Sequence, residues 1–221
     1  MSDVVIRVRG EHETEVPAER GTAHVVVHAQ GPEPGPVRDR VQAAATAALA
    51  GVRPQLDPDA GPVRRLVVDQ VRTSVRQPVH KGRPRPPVHH ASVSLSVEFD
   101  DVARLGSWLS ELGGIDGAEV RGITWDLADG HRREVERAAR QDAVRRARER
   151  AQDYADALDL GPVAARSVAD VGLLGGRAAP MAARAFAAAP AGDAEGDLGD
   201  LLAPDDVTVR AEVEAEFVVA R

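Results

Sequence analysis

The sequence predicts an α+β fold in which antiparallel or mixed β-sheets pack against helices. Three observations lead there. Residues 91–99 alternate strictly between apolar and polar side chains, and 207–219 do so up to Phe217, the pattern of a half-buried strand. Apolar residues recur at helical spacing in three other places. The strands come in groups rather than singly between helices, and no βα junction carries a glycine-rich phosphate-binding fingerprint.

The elements follow in order. Val4, Ile6 and Val8 alternate with Val5, Arg7 and Arg9, which predicts a strand. Residues 17–21 read as a connection, and Ala23, Val25, Val27 and Ala29 share one face of a second strand. The Gly/Pro run 31–36 is a loop. Pro36 suits a first helical turn; Val37, Val41, Ala44, Ala45, Ala48, Leu49 and Val52 carry the helix, and Gly51 stops it. Residues 66–76 are β-like with imperfect alternation, which suggests a bulge. After the strand 91–99, Asp100 or Asp101 caps a helix with the stripe Val102, Leu105, Trp108, Leu109 and Leu112. Residues 120–127 form a strand, and 131–160 a long helix striped by Val135, Ala139, Ala143, Ala147, Ala151, Tyr154 and Leu158. Residues 163–171 are a short strand. The closing strand, 207–219, is long enough that it must lie inside a sheet or pair with another subunit.

Composition bounds the function. The 221 residues leave room for one large domain or two small intertwined ones. Aromatic residues are only 3%, so the core must be built from Val, Ala and Leu. A net charge of −7 argues against general nucleic-acid binding, which needs a cationic surface. With no cysteine, disulfides, thiolate nucleophiles and Cys-based zinc sites are excluded. The N-terminus shows no apolar leader, and the longest apolar run, 41–52, is too short to span a membrane. The expectation is a cytoplasmic protein without a membrane span.

Four stretches, taken in order and spacing, resemble the SIMPL-domain family, a bacterial family of unknown function. They are Val4–Glu11 with Val16-Pro17-Ala18 and residues 22–28; Ala91–Val97 running into Asp101–Gly106; the helix from Ala138 into Gly161-Pro162-Val163; and Pro180-Met181-Ala182 followed by 207–219. The first of these is similar to the family's N-terminal hairpin. The resemblance implies two interleaved subdomains, here 1–88 with 205–221, and 89–171, with 172–204 as a flexible Ala/Gly/Pro/Asp-rich excursion. Some relatives are exported, form ring- or channel-like homo-oligomers, or are linked to surface antigens and oxidative-stress defence. A eukaryotic relative is a signalling adaptor. The family has no established catalytic residues, so none is carried over, and the missing export signal departs from many relatives.

Several groups of residues invite a functional reading. Arg72, Arg76, Lys81, Arg83 and Arg85 form a cationic segment in an acidic protein. It reads as a docking site for an acidic partner, such as the tract Asp193, Glu195, Asp197, Asp200, Asp205 and Asp206 of a neighbouring subunit, or as a loop kept soluble by charge. Met181 and Phe186, in an Ala-rich segment, read as a lid, as a docking arm or as a disordered loop. His80, His89 and His90 lie close in sequence, but adjacent strand residues point to opposite faces, so a solvated hairpin tip is favoured over a metal site. His24 and His28 share a face about 13 Å apart at ~3.3 Å per residue, too far for one metal. The arginines of the long helix are interleaved with acids, and Glu136–Arg140 and Asp142–Arg146 fit stabilising pairs. No GxSxG elbow or Walker motif appears. No catalytic residue, metal site or cofactor is expected. The reading is a non-enzymatic protein that self-associates as a homo-oligomer, with a small-molecule-binding or stress-response protein, having a cleft between subdomains, as the alternative. An uncharacterised hydrolase ranks last.

Overall fold

A computed structural model describes residues 4–81, 83–174 and 202–219. Along the chain run β1 (Val5–Val16), β2 (Arg20–Gly31), α1 (Pro34–Ala50), β3 (Val63–Val68), β4 (Arg72–Arg76), β5 (Val79–His80), β6 (Arg83–Pro84), β7 (Val88–Phe99), α2 (Val102–Leu112), β8 (Ala118–Asp126), α3 (Asp129–Ala157), β9 (Val163–Asp170) and β10 (Val207–Val219). All paired strands are antiparallel, so the class is α+β.

The chain forms two compact units, passing from the first to the second after Pro17 and returning at Leu127. The first holds a three-stranded sheet in the order β1-β10-β9, with α3 on one face. β10 pairs with β1 along twelve residues, Val5 opposite Val218 through Val16 opposite Val207. β10 is thus paired along one edge by β1 and over Val213–Val219 of the other by β9, so it lies inside a sheet of its own chain and its length does not require a sibling subunit. Ile6, Val8, Val213, Ala215, Phe217 and Val219 turn inward, onto Ala143, Ala147, Ala151 and Ala155. The helix stripe drifts from the expected one. Successive steps of four carry it to Ala155, while Tyr154 and Leu158 point to solvent. Alanine is needed here because the helix lies almost on the strand: a Cβ at Gly10 would sit 2.0 Å from the Ala143 carbonyl oxygen. On the solvent face, Arg7 meets Glu216 at 2.5 Å and Arg9 meets Glu214 at 3.2 Å.

The second unit holds the larger sheet, β3-β7-β2-β8, with β4 also paired to β7. Ala91, Val93, Leu95, Val97 and Phe99 of β7 and Ala23, Val25 and Val27 of β2 face a core closed by α1 and α2. Asp101 caps α2, accepting from the Ala103 and Arg104 N–H groups. Trp108, fully buried, stacks at a tilt on Phe99 with centroids 5.5 Å apart and donates its indole N–H to the Ala48 carbonyl at 2.7 Å. Arg104 ties the helices together by donating to the Gly51 carbonyl at 3.1 Å and to Glu111 at 2.9 Å.

Three expectations are corrected. β1 and β2 do not form a hairpin: the chain crosses between units at Pro17, and β2 pairs with β7 and β8 instead. For the same reason the division is not 1–88 with 205–221 against 89–171; β2, α1 and β3 belong with β7, while α3 and β9 belong with β1 and β10. Residues 66–76 are not one bulged strand but two, β3 and β4, laid end to end along β7. The expected excursion lies mostly outside the described residues, although Leu202, near its end, packs against the second core.

Two predictions follow from the first unit. Gly10→Ala should cost roughly 2–3 kcal/mol in chemical denaturation, because the added methyl meets backbone rather than a movable side chain; an unchanged midpoint would mean that α3 stands off the sheet. Glu214 is held below its ordinary value of 4.5, first by the Gly172 N–H and then by Arg9. A lowered folded value means the charged carboxylate favours folding, so its contribution is complete above the ordinary glutamate range and fades as pH falls through the folded value. Glu214→Gln should therefore melt below the wild type at neutral pH, with the gap closing in acid; a gap constant over a pH series of melts would refute this.

Candidate functional site

The cationic segment lies on the open edge of the larger sheet. Arg72 and Arg76 are at the ends of β4, opposite Ser92 and Val88 of β7. Their parity puts them with Ser94 and Ser96 on the face away from the helices. Beyond β4, the two-residue strands β5 and β6 pair as a small ribbon, with Lys81 in the left-handed region at φ 49°. The Arg85 N–H donates to the Pro78 carbonyl at 2.8 Å and closes the ribbon's base. Arg72, Arg76, Lys81, Arg83 and Arg85 are all exposed. Among the described residues none of the five has an ion-pair partner. Met181 and Phe186 lie outside the described residues, as do Asp193, Glu195, Asp197 and Asp200; Asp205 and Asp206 are exposed.

Sequence reasoning missed what accompanies these cations. Val67, Val68, Val71, Val75 and Val79 are all exposed, Val75 by 60% and Val79 by 67%. Val75 pairs with His89 and Thr73 with the buried Ala91, so both are on the helix side of the sheet, yet both stay in water. The core-facing side of β7 is covered and that of β4 is not. The result is a strand edge with exposed valines on both faces, Val67 on the side of Arg72 and Arg76, Val68 and Val75 on the helix side. Apolar side chains concentrated on an unpaired edge are a docking feature or an aggregation liability. The signal was in the sequence: five valines within thirteen residues, in a segment whose alternation fails.

Other singled-out residues fall elsewhere. His24 is on the solvent face of β2, with Nδ1 3.2 Å from Ser96 Oγ and Nε2 3.1 Å from Thr124 Oγ1. Both ring nitrogens are thus engaged by hydroxyls. His80 is exposed at the ribbon, while His89 and His90 are half-buried on β7. On α3, Glu136 reaches Arg132 at 3.8 Å and Arg140 at 3.9 Å. The expected Asp142–Arg146 pair gives way to Asp142–Arg145, one turn position earlier, and Asp142 also lies 3.7 Å from His12 of β1. Arg150 donates to the Arg9 carbonyl at 2.7 Å, so part of this basic helix is committed to holding its own sheet. No helix among the described residues is long and apolar enough to cross a membrane.

The sequence matches a family model described as SIMPL, protein of unknown function (DUF541), over residues 6–217. No curated protein matches the chain.

Because the side chains of Arg72 and Arg76 are exposed and have no ion-pair partner among the described residues, they contribute little to folding. Arg72→Glu with Arg76→Glu should change the unfolding free energy by no more than about 0.5 kcal/mol in dilute solution; a larger loss in urea titration would make them structural and remove them from the docking surface.

Proposed function

The chain belongs to the SIMPL family, and from that premise we propose that it acts by binding rather than catalysis, as a self-associating interaction protein. The open β3–β4 edge is the docking element and a second copy of the chain is its occupant. The observation that carries this reading is the set of exposed valines between Val67 and Val79, on an edge whose cations have no ion-pair partner among the described residues. Two forces are then available in one place. Burial of valine side chains contributes roughly 25 cal/mol per Å². The unneutralised charges attract an acidic surface and fix its orientation.

The chain carries such a surface. On the solvent face of β1 and β10, Glu11, Glu13, Glu15, Glu212, Glu214 and Glu216 outnumber Arg7, Arg9 and Arg210. A basic edge meeting an acidic face of another copy is a head-to-tail contact, which propagates into a closed ring or a filament. Charge attraction of this kind weakens with salt, since the screening length falls to about 3 Å at molar ionic strength.

Size-exclusion chromatography with light scattering tests the proposal. The wild type should be oligomeric at micromolar concentration and low salt, and smaller at high salt. Val75→Lys with Val79→Lys should shift it to monomer without lowering its melting temperature in dilute solution. A wild type that stays monomeric at every concentration, or an oligomer indifferent to these substitutions, would overturn it.

A further inference from the structure

A cleft of about 590 Å³ opens in the second unit between the end of β2, one side of α1 and the turn from α2 into β8. Its size is that of a small-ligand site. Three chain segments far apart in sequence build it. Ala43, Ala44 and Ala47 of α1, with Ile115, supply a smooth apolar wall. His28 and Gln30 supply polar groups from β2, and Arg40 and Asp116 bring opposite charges to the lining.

The turn is held in place by backbone. The His28 N–H donates to the Gly117 carbonyl at 2.8 Å, and Gly117 has φ +78°. A side chain there would meet the His28 carbonyl oxygen at 2.1 Å, so only glycine lets the turn close onto β2. Arg40 is also positioned: its Nη2 donates to the Gln30 carbonyl at 2.6 Å, across Gly31, where a Cβ would crowd the same nitrogen at 2.9 Å. That bond uses one of five guanidinium N–H groups. Among the described residues neither Arg40 nor Asp116 has a carboxylate or cation partner, and they do not pair with each other.

We infer that this cleft binds a small zwitterion, from a free amino acid to a dipeptide in size. A simple anion would suit Arg40 but face Asp116, and a simple cation would meet the reverse. A ligand carrying both charges satisfies both groups, and its short aliphatic part lies on the alanine wall. The guanidinium is anchored before binding, so little ordering is lost when a carboxylate arrives. The site is separate from the β3–β4 edge and does not depend on self-association.

The test is titration of the full chain, followed by amide NMR and calorimetry, with L-alanine and L-alanyl-L-alanine as probes and acetate and methylammonium as single-charge controls. One or both zwitterions should shift the resonances of residues 43–47 and 114–117 saturably, with the controls binding far more weakly. Arg40→Gln and Asp116→Asn should each weaken binding about tenfold or more. Ala43→Trp, at an exposed helix position, should block the cleft and serves if either charge variant is poorly folded. The proposal fails if neither zwitterion gives a saturable shift, if acetate binds as tightly as the zwitterions, or if binding survives all three substitutions.

Discussion

A core almost without aromatic rings must bring its backbones close together. Alanine and valine reach only a short way from the main chain, so a helix at ordinary distance from a sheet would leave voids between them, and each void forfeits dispersion contacts. The protein meets this constraint by lowering α3 onto β1 until a glycine is the only residue that fits beneath it. The five consecutive inward positions of that helix are all alanine, and the sheet beneath supplies the larger Val, Ile and Phe side chains. In the second unit the same shortage is met differently. One buried tryptophan and one phenylalanine fill the space that α1 and α2 enclose, and the polar end of the indole is tied to the backbone of α1.

This division of labour explains what was legible in the sequence. Strands 91–99 and 207–219 could be read because every second residue faces the same side, and burial follows that parity without exception from Ala91 to Phe99. The cap at Asp101 and the stripe around Trp108 were legible for the same local reason. Pairing was not, since it joins segments two hundred residues apart: nothing in Val5–Val16 names Val207–Val219 as its neighbour. The hairpin reading of the first two strands failed on this point. The second half of β1 was missed because its inward residues, Gly10, His12 and Thr14, are small or polar; the helix above them leaves room for little else. The cations of the edge are visible as charges, whereas the exposure of the valines beside them depends on how far the helices extend over the sheet, which no local pattern gives. The cleft was hidden because each of its three segments reads as ordinary: a strand end, an Ala-rich helix and a glycine turn.

Charge is handled in two ways. On the solvent face of β1 and β10, Arg7, Arg9 and Arg210 meet glutamates directly across or beside them. Such exposed pairs contribute little energy each, but they specify register, because slipping one residue would set unlike partners against the core. On the β3–β4 edge and in the α1 cleft, charges are left without local partners. Those two places, together with the surplus glutamates of the β1–β10 face, hold charge that the fold itself does not use, which is why function is sought there.

The position of β10 between β1 and β9 has a consequence for how the polypeptide matures. Residues 18–126 contain every strand of the larger sheet, so that sheet can pair as soon as this stretch is available, with Leu202 joining its core later. The smaller sheet cannot: its middle member follows all the other described strands, and until it arrives β1 and β9 have no partner in that sheet. Synthesis from the amino end thus leaves the twelve β-forming residues of β1 waiting until Val207–Val219 has been made. Every second residue of that waiting segment from Arg7 to Glu15 is charged, a pattern that opposes edge-to-edge aggregation of an unpaired strand.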